Sequence, residues 1–411
     1  MRFCIIVLLP FFIVLTAWPA FLFAETCTEG NCIDGKGTLS YADGGSYEGE
    51  FSAGKFEGRG KRIYEDGKVY EGEFKNGRFE GTGILTLGNG AKYEGEFRNG
   101  RKEGQGFFTR PDGLEYKGKW KNDVPDGQGD ETRPDGTRYK GEFKSGKKEG
   151  QGVITFPNGK QYNGEWMNNN PNGQGQETLP DGSIYVGEFK NGMRDGRGTD
   201  TNSNGGSYTG EWKNNIPNGE GTITYADGGT YAGELKQGKR DGDGVMVYPN
   251  QSKYEGKFRN DLPEGEGKFI YSDGSSYSGE LKNGRPEGKG AMDYRDGRKY
   301  VGEFKDGAPD GKGNMLIPQR GTYEGEFRSG KFDGRGTVRL LTGSILVGSY
   351  KSDQLDGTCI LTLRDGTVVK GEYKSGVPDG KWSYENSDGV KKEWEIKDGI
   401  PAEISQALNG I

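Results

Sequence analysis

A chain of 411 residues would ordinarily fold into two or three globular domains, but only 30% of this one is hydrophobic and 77 residues are glycine, which excludes a thick apolar core. Aromatic residues nevertheless make up 12%, many at fixed spacing, and that excludes plain disorder. A formal net charge of -6 without a polybasic run excludes nucleic acid as a partner, and the lack of any histidine excludes histidine-dependent triads and the commonest neutral metal ligand.

The chain opens with a single charge, Arg2, and an apolar run from Phe3 to Phe23 that ends in Leu22-Phe23-Ala24. Residues 1–24 read as a secretory signal peptide with a small residue before the cleavage point. An uncleaved membrane anchor is the competing reading, because the run nears the roughly 20 residues that span a bilayer, although Pro10 and Pro19 interrupt it. Either reading places the rest of the chain outside the cytosol, whether periplasmic, secreted or in the cell envelope. Cys27 follows Glu25-Thr26 rather than small residues, so lipid attachment there is the weaker expectation. Residues 25–34 read as an N-terminal cap in which Cys27 and Cys32 are spaced to close a small disulfide loop in an oxidising compartment. Cys359 stands where other repeats carry glycine and is read as a drifted glycine, not a nucleophile.

After the cap, one unit recurs every 23 residues without a slip. Its first column is Tyr-x-Gly-Glu-aromatic, at Tyr47, Tyr70, Tyr93, Tyr116, Tyr139, Tyr162, Tyr185, Tyr208 and onward to Tyr323, before it decays to Leu346, Val369 and Lys392. The aromatic four residues on runs Phe51, Phe74, Phe97, Trp120, Phe143, Trp166, Phe189 and Trp212. A second column, Gly-x-Gly, runs from Gly35-Lys36-Gly37 to Gly334-Arg335-Gly336 and degrades at Cys359 and Trp382. The third is Asp-Gly or Asn-Gly, from Asp43-Gly44 to Asp388-Gly389, with departures at Asn250-Gln251, Gln319-Arg320 and Thr342-Gly343. These dipeptides tolerate the positive φ angles of a tight turn, so each unit reads as one β-hairpin. The flanks alternate accordingly, with Leu39 and Tyr41 before the turn and Tyr47, Gly49 and Phe51 after it.

Glycine at the centre of Tyr-x-Gly-x-aromatic leaves a gap on the covered face into which a neighbouring ring fits, so rings substitute for a core. The expected fold is all-β: an elongated single-layer antiparallel ribbon of about 16 hairpins, on the order of 150 Å long at roughly 4.8 Å per strand. Residues 35–345 hold the regular repeats, 346–396 divergent capping repeats, and 397–411 a tail in which Pro401-Ala402-Glu403 starts a short helix ending before Gly410. At Glu131 and Arg133, and again at Asp200 and Asn202, the strand before the turn lacks its apolar pair, which predicts local flexibility or a bend.

These columns resemble the MORN (membrane occupation and recognition nexus) family, whose repeat has the pattern Tyr-x-Gly-Glu-aromatic-x-x-Gly with a downstream Gly-x-Gly, as in Tyr70-Glu71-Gly72-Glu73-Phe74-Lys75-Asn76-Gly77. The likeness covers about residues 33–396 and is carried by thirteen in-phase tyrosines. It implies an antiparallel ribbon used for protein association, scaffolding or contact with acidic phospholipid, sometimes fused to a kinase or methyltransferase domain. The 15 residues after Ile396 are too few to fold such a domain.

No catalytic or cofactor-binding residue is expected. Glu50, Glu73, Glu96, Glu142, Glu165 and Glu188 share one repeat position, whereas a catalytic carboxylate breaks the pattern. Gly-x-Gly falls between hairpins, where a phosphate loop needs a helix N-terminus, and the Asp-Gly turns lack the close-set oxygen ligands of a calcium loop. Basic residues follow the aromatic at Lys75, Arg98, Lys121, Lys144, Lys190 and Lys213, a candidate lipid contact that the nearby glutamate column largely offsets. The expected function is a non-enzymatic extracytoplasmic scaffold that binds an unidentified envelope protein or a second copy of itself. The alternative is an envelope-surface module for acidic phospholipid or polysaccharide, with sugar stacked on Trp120, Trp166 and Trp212.

Overall fold

In the computed structural model residues 25–396 are described; the expected signal segment at 1–24 and the tail at 397–411 lie outside the described residues. The described chain is all-β. Its 33 strands run from β1 (Thr26–Gly30), β2 (Gly35–Ser40), β3 (Ser46–Ser52) and β4 (Lys55–Ile63) to β33 (Lys391–Ile396). The chain divides into two units, one ending at Asn170 and one beginning at Pro171. In the first, each strand up to β13 (Gln161–Met167) pairs antiparallel with the next. In the second, the same succession runs from β14 (Asn170–Thr178) to β33.

Two kinds of connection alternate. At Asp66-Gly67 the loop is a β-turn followed by a left-handed glycine: Gly67 N–H donates to the Tyr64 carbonyl at 3.1 Å, Tyr64 N–H to the Lys68 carbonyl at 2.9 Å, and Gly67 alone has positive φ, 80°. The aspartate is there for its side chain, whose Oδ1 accepts the Lys68 N–H at 3.0 Å. The two-residue turn with positive φ at both centres lies elsewhere, at Asn76-Gly77 (48° and 77°) and its equivalents. Expecting both positive angles at Asp-Gly is therefore corrected: Asp-Gly builds the longer loop, and the Asn-Gly of the same repeat builds the tight turn.

Strand alternation gives the sheet a covered and an open face. Tyr47, Gly49 and Phe51 point to the covered face; Glu48 and Glu50 point to the open one. Opposed glycines bring the strands close enough for one ring to span them, as Gly49 faces Gly60 and Gly60 faces Gly72. A Cβ on Gly49 would stand 2.5 Å from the Tyr47 hydroxyl, so the tyrosine ring lies over its own repeat's glycine pair rather than in a neighbour's gap. Many of the tyrosines also meet two rings edge-on, and those beside Leu235 or Leu281 meet one. Tyr47 lies 5.1 Å from Phe51 and 5.1 Å from Phe74 of the next repeat, and Tyr139 lies 5.1 Å from both Phe143 and Trp166.

The ends depart from this ladder in a concerted way. Where Tyr gives way to Leu346, the glycine on the facing strand becomes Cys359; where Tyr gives way to Val369, it becomes Trp382. The lost ring volume returns from the facing strand: Trp382 lies over Gly371, and Leu346, Cys359, Leu361, Val369 and Trp382 form a buried apolar cluster. Cys359 is thus a packing residue, its thiol pushed up to about 11 by burial. At the other end Cys27 and Cys32 are joined by a disulfide across the β1–β2 connection.

Where flexibility or a bend is expected, near Glu131 and Asp200, the strand pairing is continuous. Glu131 faces Tyr139 and Asp200 faces Tyr208 in unbroken register. The apolar pair is replaced by ion pairs: Lys148 Nζ lies 2.8 Å from Glu131, and Arg194 bridges Glu177 at 2.8 Å and Asp200 at 2.7 Å.

Candidate interaction surface

The aromatic columns are internal. Tyr47, Tyr70, Tyr93, Tyr116, Tyr139, Tyr162, Tyr185 and Tyr208 are buried, as are Phe51, Phe74, Phe97, Phe143 and Phe189. Each tyrosine hydroxyl donates to the carbonyl three residues on, Tyr47 to Glu50 at 2.9 Å and Tyr208 to Glu211 at 2.8 Å. Burial pushes the Tyr208 hydroxyl up to about 12. Trp120, Trp166 and Trp212 are 6%, 6% and 7% exposed, and the Trp166 and Trp212 indoles donate to the Gly152 and Gly198 carbonyls. No ring face is left for a sugar, so stacking of polysaccharide on these tryptophans is corrected by their burial.

The glutamate column serves the backbone. On the strand facing the open-face glutamate the register slips by a β-bulge, and the glycine within it takes positive φ, as at Gly81 (56°) opposite Glu73. The Glu73 side chain folds over Gly81 and accepts the Thr82 N–H at 3.2 Å; Glu96 accepts the Gln105 N–H at 2.8 Å and Glu188 the Arg197 N–H at 2.9 Å. These carboxylates are periodic because the bulge is.

Lys75, Arg98, Lys121, Lys144, Lys190 and Lys213 are exposed on the open face beside the tight turns. Three of them face a second cation directly, in Lys75–Arg78, Arg98–Arg101 and Lys144–Lys147. A carboxylate column that the sequence reading passes over tempers this edge. Glu57 accepts the Asn76 N–H of the next turn at 2.9 Å, Glu80 that of Asn99 at 2.8 Å, and Glu149 that of Asn168 at 3.0 Å. Cation and turn-capping anion therefore share these turns, whereas at Lys190 the cap is the neutral Asn172.

A second missed feature is a cation seated on the covered face of every other hairpin between residues 102 and 263: Lys102, Lys148, Arg194 and Arg240, at intervals of 46 residues. The intervening repeats carry Pro125, Pro171, Pro217 and Pro263 at that position, which is the signal that would have revealed a doubled repeat. Lys102 Nζ lies 4.8 Å from the Trp120 ring centre and Arg194 Cζ 4.4 Å from that of Tyr185. Burial pulls the Lys148 ammonium below its ordinary value despite Glu131; burial works against the Glu131 charge too, but hydrogen bonds from Lys148 and Arg133 hold that carboxyl below its usual range.

What remains for a partner is the open face. In the first unit it forms a groove of about 1400 Å³ running across the strands, with Glu48, Lys61, Glu71, Ile84, Glu94 and Phe107 along its middle row. In the second unit a shallower groove of about 490 Å³ includes Ser278, Ala291 and Val301 on the same face. The covered face repeats its tyrosine, glycine and aromatic columns from hairpin to hairpin, whereas the middle row of the open face varies, passing from Glu48 through Lys61 and Ile84 to Phe107 in the first unit.

The family described as MORN repeat matches fourteen segments: residues 33–46, ten successive units from 47–69 to 254–276, and then 277–297, 300–319 and 323–343. No curated protein matches the chain. Among solved structures it is similar to the TCP domain of SAS-4 (dCPAP) of Drosophila melanogaster, in complex with a proline-rich motif of Ana2 (dSTIL), at 16% identity and a TM-score of 0.26, covering 43% of this chain and 90% of that one. A streptogramin B lyase follows at 13% identity and a TM-score of 0.12, covering 65% of this chain and 82% of that one. A catalytically inactive virginiamycin B lyase from Staphylococcus aureus, with quinupristin, stands at 12% identity and 0.13, covering 91% and 99%. Superpositions this loose carry no argument about activity or partner.

Proposed function

The chain belongs to the MORN repeat family, and from that premise we propose that it is a non-enzymatic repeat scaffold, working outside the cytosol, that binds a protein through the open face of its sheet. One observation carries the reading. The side chains common to all repeats are consumed inside the fold, and those that differ between repeats face outward in rows such as Glu48, Lys61, Glu71, Ile84, Glu94 and Phe107. A surface that varies along a regular support is suited to telling one protein from another. The absence of histidine and the structural employment of the glutamate column support a role without catalysis. The Cys27–Cys32 disulfide and the apolar run from Phe3 to Phe23 support a location where thiols oxidise.

A photo-crosslinking residue placed at Glu71 or Val301 in the native cells tests this. Repeated capture of one protein at these positions, and not at Lys75 or Lys213 on the turn edge, is the expected result; capture of lipid or glycan alone, or of nothing, overturns it. The second reading, contact of acidic phospholipid or polysaccharide with the turn edge, draws on the doubled cations Lys75–Arg78 and Arg98–Arg101. It predicts flotation with anionic vesicles or retention on an acidic polysaccharide that salt abolishes.

A further inference from the structure

The open face of the second unit begins with a stretch that carries no charge. Seven strands, β14 to β20 (Lys239–Val247), each present two open-face residues in its middle and loop-side rows, and none of these fourteen is ionisable, in a chain that is 29% Asp, Glu, Lys and Arg. The middle row passes from Gln176 to Val186, Thr199, Thr209 and Thr222 and ends at Val245; the loop-side row passes from Thr178 to Ile184, Thr201, Ser207 and Thr224 and ends at Val247. The next strand closes both rows with a salt-bridged pair, Lys253 and Glu255. At the same two repeat positions the first unit carries Glu71, Glu94, Lys117 and Lys140 in the middle row and Lys92, Glu115 and Arg138 in the loop-side row. No patch residue is buried, and Val186 is 51% exposed.

We propose that this uncharged β14–β20 face is a self-association surface, on which a second copy of the chain stacks sheet against sheet. The inference rests on the scaffold reading and names its partner. A patch without charge is self-complementary, since two copies meet with no like charges opposed and no ion to desolvate, and β-branched side chains on both sheets give surfaces that pack about 10 Å apart. The flanks select the orientation. Towards the tight turns the patch is bordered by a predominantly acidic row (Glu188, Glu211, Glu220, Glu234, interrupted by Arg197, which pairs with Glu211) and then by a row that includes Lys190, Lys213 and Lys236. A two-fold axis parallel to the strands would set each row against its own copy. An axis crossing the strands swaps the sides, so that the middle row of one copy faces the loop-side row of the other and the charged flanks fall outside. Seven strands at roughly 4.8 Å and two rows of side chains give on the order of 400 Å² per copy, below the roughly 800 Å² per partner of a stable interface, so the association is weak and reversible.

Sedimentation equilibrium on the mature chain over a wide concentration range tests this. The repeat tolerates the charges needed, because Lys117 stands at the position of Thr209 and Glu115 at that of Ser207. The wild-type mass average should rise with concentration; Thr209→Lys and Ser207→Glu, each alone, should weaken association at least ten-fold with unchanged circular dichroism; and mixing the two variants should restore it, since Lys at 209 then faces Glu at 207 of the other copy. A wild type that stays monomeric at its solubility limit, a Thr209→Lys variant that associates as wild type does, or a mixture that shows no recovery overturns the proposal. If a monomeric chain still captures a different protein through Glu71 or Val301, self-association falls while the scaffold reading stands; if neither occurs, both fall.

Discussion

The tyrosine of each repeat makes three different contributions, and they separate by substitution. Tyr254 is fully buried, its hydroxyl donates to the Lys257 carbonyl at 2.9 Å, and its ring covers the facing glycines Gly256 and Gly267. Removing the hydroxyl in Tyr254→Phe should cost about 1 kcal/mol, the usual net worth of one hydrogen bond. Removing the ring in Tyr254→Ala should cost roughly 3–5 kcal/mol, because a cavity remains beside the edge-on Phe258 and the tilted Phe269. Urea denaturation of the two variants checks this, and equal losses would mean that the ring does not hold the strands together. Gly267→Ala should lose roughly 1–3 kcal/mol by overpacking, since its Cβ would stand 2.6 Å from the Tyr254 ring. At position 359, by contrast, the glycine column already carries a side chain, tolerated because Leu346 has replaced the ring. Cys359→Gly should therefore destabilise rather than relax the C-terminal cluster, an outcome readable in the same denaturation experiment.

At the scale of hairpin and turn, what was legible in the sequence was whatever repeats once per 23 residues. The period gave the strands, their faces and the antiparallel class, because a two-residue alternation tied to a fixed phase leaves no other arrangement for Tyr47, Gly49 and Phe51. The turn assignment slipped because Asp-Gly and Asn-Gly satisfy the same local rule, and only the ladder decides which dipeptide spans two residues and which closes a longer loop. The covered cations are hard to see in the sequence because their period is 46 residues and the anion of Lys148 lies on another strand, so that Glu131 looks like a gap until Lys148 is placed above it. A double-mutant cycle tests that pair. Lys148→Met alone should cost roughly 1–3 kcal/mol, by leaving Glu131 with Arg133 as its one remaining cation on a partly covered face, whereas Lys148→Met with Glu131→Leu should recover most of the loss. If the double variant is as unstable as the single, the two side chains act independently. The candidate surface was the least legible part, because an interaction face is marked by what does not repeat.

Across the whole described chain, periodicity turns small titrations into a collective pH dependence with a different cause at each end of the scale. On the acid side the loop aspartates Asp135, Asp181, Asp273, Asp296 and Asp365 are held below the usual carboxylate range, chiefly by hydrogen bonds from the residue two positions on. Groups with a depressed folded value stabilise the fold above their ordinary range near 4, and that contribution is lost as pH falls through the folded value. Asn89, Asn158, Asn204 and Asn250 make the same bond to the residue two on without titrating, so Asp→Asn at the five aspartates should preserve the loops and flatten the acid limb of stability against pH. On the alkaline side the covered tyrosines respond together. Burial raises every one of Tyr47, Tyr70, Tyr93, Tyr185, Tyr254 and Tyr323 above the ordinary value near 10, Tyr185 and Tyr254 to about 12. Because the neutral ring is favoured in the fold, its contribution is complete below pH 10 and is lost as pH rises from there through the folded values. Neighbouring repeats share rings, so one ionised tyrosine loosens the two beside it, and the ladder should fail over a narrow interval rather than one hydroxyl at a time. Absorbance of tyrosinate followed together with far-ultraviolet circular dichroism from pH 9 to 13 separates the cases: coincident transitions are expected, whereas hydroxyls that titrate near pH 10 while the β signal persists would mean that the rings reach water without unfolding, contrary to their burial between paired glycines.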